Sequence, residues 1–103
     1  MAAELTVIRW RDIPMQVVAR SGKTSARRLL SDRFQEAVDA SAMVAGLIDS
    51  NDYTAEMSMD RRECGEDLDA EAEREAERIE ADWTDDLLKA TIRAAGYRGK
   101  EPA

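Results

Sequence analysis

The hydrophobic pattern changes period several times along the chain. Residues 5–10, Leu5-Thr6-Val7-Ile8-Arg9-Trp10, are rich in β-branched and aromatic types, which suit a pleated, partly buried surface. A period of two would place Thr6, Ile8 and Trp10 on one face and Leu5, Val7 and Arg9 on the other. Arg11-Asp12-Ile13-Pro14 carries turn residues, and Met15 to Arg20 reads as a second strand with Met15, Val17 and Ala19 on one side. Ser21-Gly22-Lys23-Thr24-Ser25 reads as a polar loop. From Ser31, a suitable N-cap followed by Asp32, the period lengthens. Phe34, Ala37, Val38, Ser41, Ala42 and Ala45 recur at helical spacing and predict a helix that Gly46 stops. Leu47 and Ile48 are expected to pack back onto the core before a turn at Asp49-Ser50-Asn51-Asp52.

Alternation then returns. Tyr53, Ala55, Met57 and Met59 oppose Thr54, Glu56, Ser58 and Asp60, predicting a third strand over 53–60 with one face in water. Arg61 to Glu66 reads as a loop containing Cys64 and Gly65. Asp67 caps a second helix whose apolar stripe is narrow: Leu68, Ala72, Ala76, Ile79 and Trp83. Around it, Glu71 with Arg74 and Glu75 with Arg78 attract at a spacing of three. Thr84 caps a last helix carrying Leu87, Leu88, Thr91, Ile92 and Ala95, closed by Gly96, and residues 98–103 are expected to fray. The pattern therefore predicts one α+β domain over residues 1–97, in the order β-β-α-β-α-α. Its expected form is a three-stranded sheet, hairpin plus third strand, covered on one face by helices. The third strand is expected beside the first and antiparallel to it, because residues 5–10 are the most apolar strand.

Charge sharpens this picture. Of the 103 residues, 36% are charged, well above the roughly 25% typical of soluble domains, so much of the surface is ionic. The net charge of −7 opposes non-specific binding to nucleic acid. The charge is also segregated: residues 1–30 carry six basic against two acidic side chains, and residues 61–86 carry four against twelve. A basic N-terminal region either pairs internally with the acidic helices or meets an acidic partner. Met1-Ala2-Ala3-Glu4 lacks the basic start and apolar run of a signal peptide, and no stretch reaches the roughly 18 apolar residues of a membrane helix. With a single cysteine as well, the expected compartment is the cytoplasm, with no membrane partner.

Candidate chemistry is sparse. The chain has no histidine, which removes Ser-His-Asp and Cys-His nucleophile activation and His-based zinc sites. Gly22-Lys23-Thr24 matches the end of a phosphate-binding P-loop, but the required glycine five residues earlier is Val17. A looser anion contact by Lys23, Arg27 and Arg28 survives that test. Asp49, Asn51 and Asp52 resemble a calcium loop, yet Thr54 and Asp60 stand where its glycine and final glutamate belong. No metal and no cofactor are expected. Cys64 is the one intrinsically reactive side chain; Arg61 and Arg62 favour its thiolate, whereas Glu63, Glu66 and Asp67 oppose it. Arg9, Trp10, Arg11, Asp12 and Pro14 form a second candidate, because Trp and Arg anchor interfaces, although core packing plus a turn cap is the better account of a Trp beside opposite charges.

The run Ile8-Arg9-Trp10-Arg11-Asp12-Ile13-Pro14-Met15-Gln16-Val17 resembles the opening signature of a small bacterial domain family labelled virulence factor. Leu30-Ser31-Asp32-Arg33-Phe34, Tyr53-Thr54-Ala55-Glu56, the stretch from Cys64 to Ala72 and Leu87-Leu88-Lys89-Ala90 are similar too. The resemblance covers about residues 5–95 and departs at Met57-Ser58, where the family has an aromatic residue followed by basic ones. It brings no catalytic residues with it. What it implies is an accessory protein serving a folate- or corrinoid-linked methyl-transfer enzyme.

The leading expectation is a non-enzymatic accessory or protein-binding domain that meets a larger protein through Arg9 to Pro14. The alternatives are a small enzyme or redox subunit using Cys64 or a carboxylate, and an anionic-ligand-binding protein using Arg9, Arg11, Lys23 and Arg27.

Overall fold

Alternation along the first thirty residues builds three strands, not two. The computed structural model describes residues 3–47 and 54–98. Strands β1 (Ala3–Trp10), β2 (Ile13–Ser21) and β3 (Thr24–Leu29) form an antiparallel meander. After helix α1 (Asp32–Ala45), strand β4 (Met57–Cys64) joins the free side of β1, antiparallel to it, and gives the order β3-β2-β1-β4. Helices α2 (Leu68–Asp82) and α3 (Asp85–Arg93) complete the chain. The expected α+β class and the place of the last strand beside β1 are found. The expected three-stranded sheet and the order β-β-α-β-α-α are corrected to four strands and β-β-β-α-β-α-α.

Two corrections have one cause. The expected polar loop at 21–25 is a two-residue turn, Gly22-Lys23, with Gly22 at φ 59, between paired Ser21 and Thr24. The expected strand at 53–60 and loop at 61–66 become β4 over 57–64, so Cys64 is a strand residue. Tyr53 and the expected turn at 49–52, with Ile48, lie outside the described residues. β3 and β4 are the two edges of the sheet, and edge strands are commonly polar and charged, which erases the apolar alternation that marks a strand.

The meander turns at Arg11-Asp12, with Arg11 in the left-handed region at φ 52. Pro14 has no N–H to donate, and it sits where the pairing slips: Ile8 faces Gln16 but Arg9 faces Pro14, leaving Met15 as the extra residue of a bulge. Ala3, Leu5 and Val7 of β1, Val17 and Ala19 of β2 and Ala26 of β3 are buried in one cluster with Leu68, Ala72 and Ile79 of α2. Helix α1 begins at Ser31 as expected, but the serine does not cap its own helix. Its N–H and hydroxyl both donate to the Glu80 carboxylate of α2, and Arg33 donates to the Glu80 carbonyl at 2.8 Å. Phe34 meets Trp83 edge-on, with centroids 6.3 Å apart. Asp67 and Thr84 do cap their helices, accepting from Ala70 and Leu87. Arg98 is held by a hydrogen bond from its N–H to Asp12 and by stacking on Trp83, while 99–103 lie outside the described residues.

A carboxylate unforeseen in the sequence is buried in this layer. Glu75, only 5% exposed, accepts from Arg62 of β4 and from Arg78. Burial alone would raise its carboxyl, but the hydrogen bonds of Arg78 and Arg62 outweigh that and hold it below the usual glutamate range. Glu80 behaves alike: burial pushes it up, and Ser31 with Arg33 pulls it below. In the unfolded chain both titrate near the ordinary value of about 4.3. Their contribution is therefore complete above that range and is lost as pH falls through the lower folded values. Urea midpoints should drop on acidification from about pH 5 to 3, and should drop less steeply in Glu75→Gln/Glu80→Gln. Equal slopes would remove these two groups from the acid response.

Candidate functional site

Each strand has two faces, and helix α2 covers only one. On the other face the pairings place side chains in rows that cross all four strands. Leu29, Gln16, Ile8 and Met59 form one row; Arg27, Val18, Thr6 and Arg61 form the next; Ser25, Arg20, Glu4 and Glu63 follow. The first row is largely apolar, with Leu29 76% and Met59 58% exposed. The second row is basic at both ends. Glu4, Thr6, Ile8, Val18, Arg20, Arg27, Met59 and Arg61 line a groove of about 370 Å³ on this face.

The charges divide between the faces in a regular way. β3 carries Arg27-Arg28 and β4 carries Arg61-Arg62, and the period of two sends one arginine of each pair to each face. Arg28 and Arg62 reach α2, where they pair with Asp69 at 3.5 Å and Glu75 at 3.1 Å. Arg27 and Arg61 point the other way. Among the described residues neither they nor Arg20 makes an ion pair, and the Arg61 guanidinium meets only the Met59 sulfur, at 3.6 Å. Three unpaired guanidinium groups thus converge on one groove in a chain of net charge −7. One acidic residue, Glu4, shares the groove.

The residues singled out in the sequence are scattered. Trp10 and Pro14 are buried, so what Arg9 to Pro14 presents to a partner is the outer edge of Arg9, Arg11 and Asp12. Arg11 is packed between Trp10 and Tyr97, 5.2 and 4.7 Å from the ring centroids, and pairs with Glu56 at 3.1 Å. Arg9 pairs with Asp60. Of the anion candidates, Lys23 lies in the β2–β3 turn, Arg28 is taken by Asp69, and Arg27 alone faces the groove. Cys64 ends β4, half-buried; burial pushes its thiol up, Glu71 adds to this, and Arg62 offsets part of it. That shift disfavours the reactive thiolate. Among the described residues no three acidic or cysteine side chains gather to hold a metal ion, and no helix is long and apolar enough to cross a membrane.

Sequence reasoning missed Arg20 and Arg61. For Arg61 the signal was present in the doubled Arg61-Arg62, since two adjacent arginines in a strand must part to opposite faces. It was unreadable because residues 61–66 look like a loop in isolation.

The model of a family described as virulence factor matches residues 8–92. No curated protein and no solved structure matches the chain.

Proposed function

The chain belongs to the virulence factor family, its match running from β1 into α3, and we propose that it is a non-enzymatic binding protein that docks onto a larger protein through the uncovered sheet face. The observation that carries this reading is the row of Leu29, Ile8 and Met59 across that face, with Met57 38% exposed beside it. An antiparallel sheet with one wet face normally turns polar side chains outward. Large apolar side chains grouped there mark a contact surface. What further supports a binding role is the lack of histidine and the burial that disfavours the Cys64 thiolate. A folate- or corrinoid-linked methyl-transfer enzyme is the first partner to test, and its support is the sequence resemblance alone.

The test is affinity purification at native expression, comparing wild type with Leu29→Asp/Met59→Asp. Both side chains are exposed, so the variant should keep its fold and its stability to within about 0.5 kcal/mol. The wild type should carry one stoichiometric partner that the variant loses, and Cys64→Ser should keep. Retention of the partner by the double variant, or no stoichiometric partner at all, refutes the docking face.

A further inference from the structure

Each edge strand sends one arginine to the covered face and, one residue earlier, another to the open face. On the covered side, Arg28 of β3 and Arg62 of β4 flank the helix that lies between them, and that helix answers with Asp69 and Glu75. Its apolar stripe is narrow and partly alanine, Leu68, Ala72 and Ile79, which lets the helix sit close to the sheet. On the open side, Arg27 and Arg61 end a single row, over Val18 and Thr6, whereas Arg28 and Arg62 stand one row apart on the covered side, opposite Val17 and Leu5. Among the described residues no helix lies over this open face. We propose that the open face binds an acidic amphipathic helix of the partner protein, held by ion pairs to Arg27 and Arg61. This rests on the docking reading above and names its occupant.

Geometry sets the requirements on that helix. The edge strands are three strand spacings apart, roughly 14 Å between backbones, a gap that long arginine side chains narrow from both ends. Asp69 and Glu75 are six residues apart, a rise of about 9 Å along α2. Arg27 and Arg61 lie straight across one row, so the partner helix needs two carboxylates that fit the narrowed gap between them, with apolar residues beside them for the Leu29, Ile8 and Met59 row roughly 7 Å away. Arg20 lies on the far side of the basic row and serves a third carboxylate there, next to Glu4, which repels a second one at that spot. The chain's own α2 cannot fill this place in a second copy, because its apolar stripe is already buried.

The probe is a fluorescein-labelled synthetic helix of about 18 residues, long enough to cross the sheet, with two glutamates six residues apart beside an Ala/Leu stripe. A matching helix with lysines in place of the glutamates is the control, and fluorescence polarisation is the readout. The acidic helix should bind saturably, and more weakly as salt rises, whereas the lysine helix should not bind. Arg27→Glu/Arg61→Glu should weaken binding by about tenfold or more, and Arg27→Lys/Arg61→Lys should retain most of it. Equal binding of the two helices, or indifference to the double reversal, overturns the inference. So does sedimentation showing a dimer that the double reversal dissolves, since a second copy would then be the occupant. If the native partner depends on Leu29 and Met59 while the acidic helix fails to bind, the docking face stands and only the acidic helix falls.

Discussion

Trp10→Ala is expected to lower stability by about 3–5 kcal/mol, a large share of what a small domain possesses. Trp10 ends β1 opposite Ile13 and Met57 and has no exposed surface. Strict alternation would leave it on the open side with Thr6 and Ile8. The turn that closes α3 buries it instead, with the Gly96 backbone against the ring. That turn is tied down independently: Asp12 N–H donates to the Gly96 carbonyl at 3.0 Å, and the Arg11 guanidinium donates to the Ala95 carbonyl at 2.8 Å. Walls held this way cannot collapse into the space a lost indole leaves, which puts the cost at the upper end of large-to-small substitutions. Denaturant titration followed by circular dichroism measures it. A loss below about 1 kcal/mol, coupled with loss of the partner, would make Trp10 an interface anchor and not a core residue.

Gly96→Ala should cost about 2–4 kcal/mol through two separate effects. Gly96 has φ 98, a conformation that side-chain-bearing residues rarely adopt, and it follows Ala95, already left-handed at φ 61. A methyl group there would also lie 2.9 Å from Trp10 Cζ3 and 3.2 Å from Arg11 Cδ. The indole is fully packed and the arginine is pinned between two rings, so neither can move away cheaply. Gly22→Ala is the internal control. It too has a positive φ, 59, but nothing within 4 Å, so it should cost only about 1 kcal/mol. Thermal unfolding of the two variants should therefore separate them clearly. Equal losses would mean that backbone strain alone matters and that the close packing over Trp10 contributes nothing.

The site was legible only in fragments. Arg27 appeared as an anion contact, yet it was grouped with Lys23 and Arg28, its neighbours in sequence. In the folded chain Arg27 belongs with Arg61 and Arg20, from two other strands, because cross-strand pairing and not adjacency decides which side chains share a face. Trp10 suited core packing better than an interface, but its burial by Gly96, 86 residues away, was invisible to any local pattern. Glu75 looked like one more solvated glutamate of an acidic helix. It is buried because Arg62 arrives from β4 beneath it.

What the sequence determined by itself was whatever a few consecutive residues can decide. The apolar stripes of α1, α2 and α3, the caps at Asp67 and Thr84, the stop at Gly46, and the strand character of β1 and β2 all follow from local spacing and backbone preference. The tertiary structure decided that Thr24 to Leu29 is a strand, where β4 begins and ends, and which arginines are paired. Edge strands gain their stability by hydrogen bonding to a neighbour and not by burying a pattern of their own. Their bounds and their exposed face therefore exist only once β1 and β2 are in place.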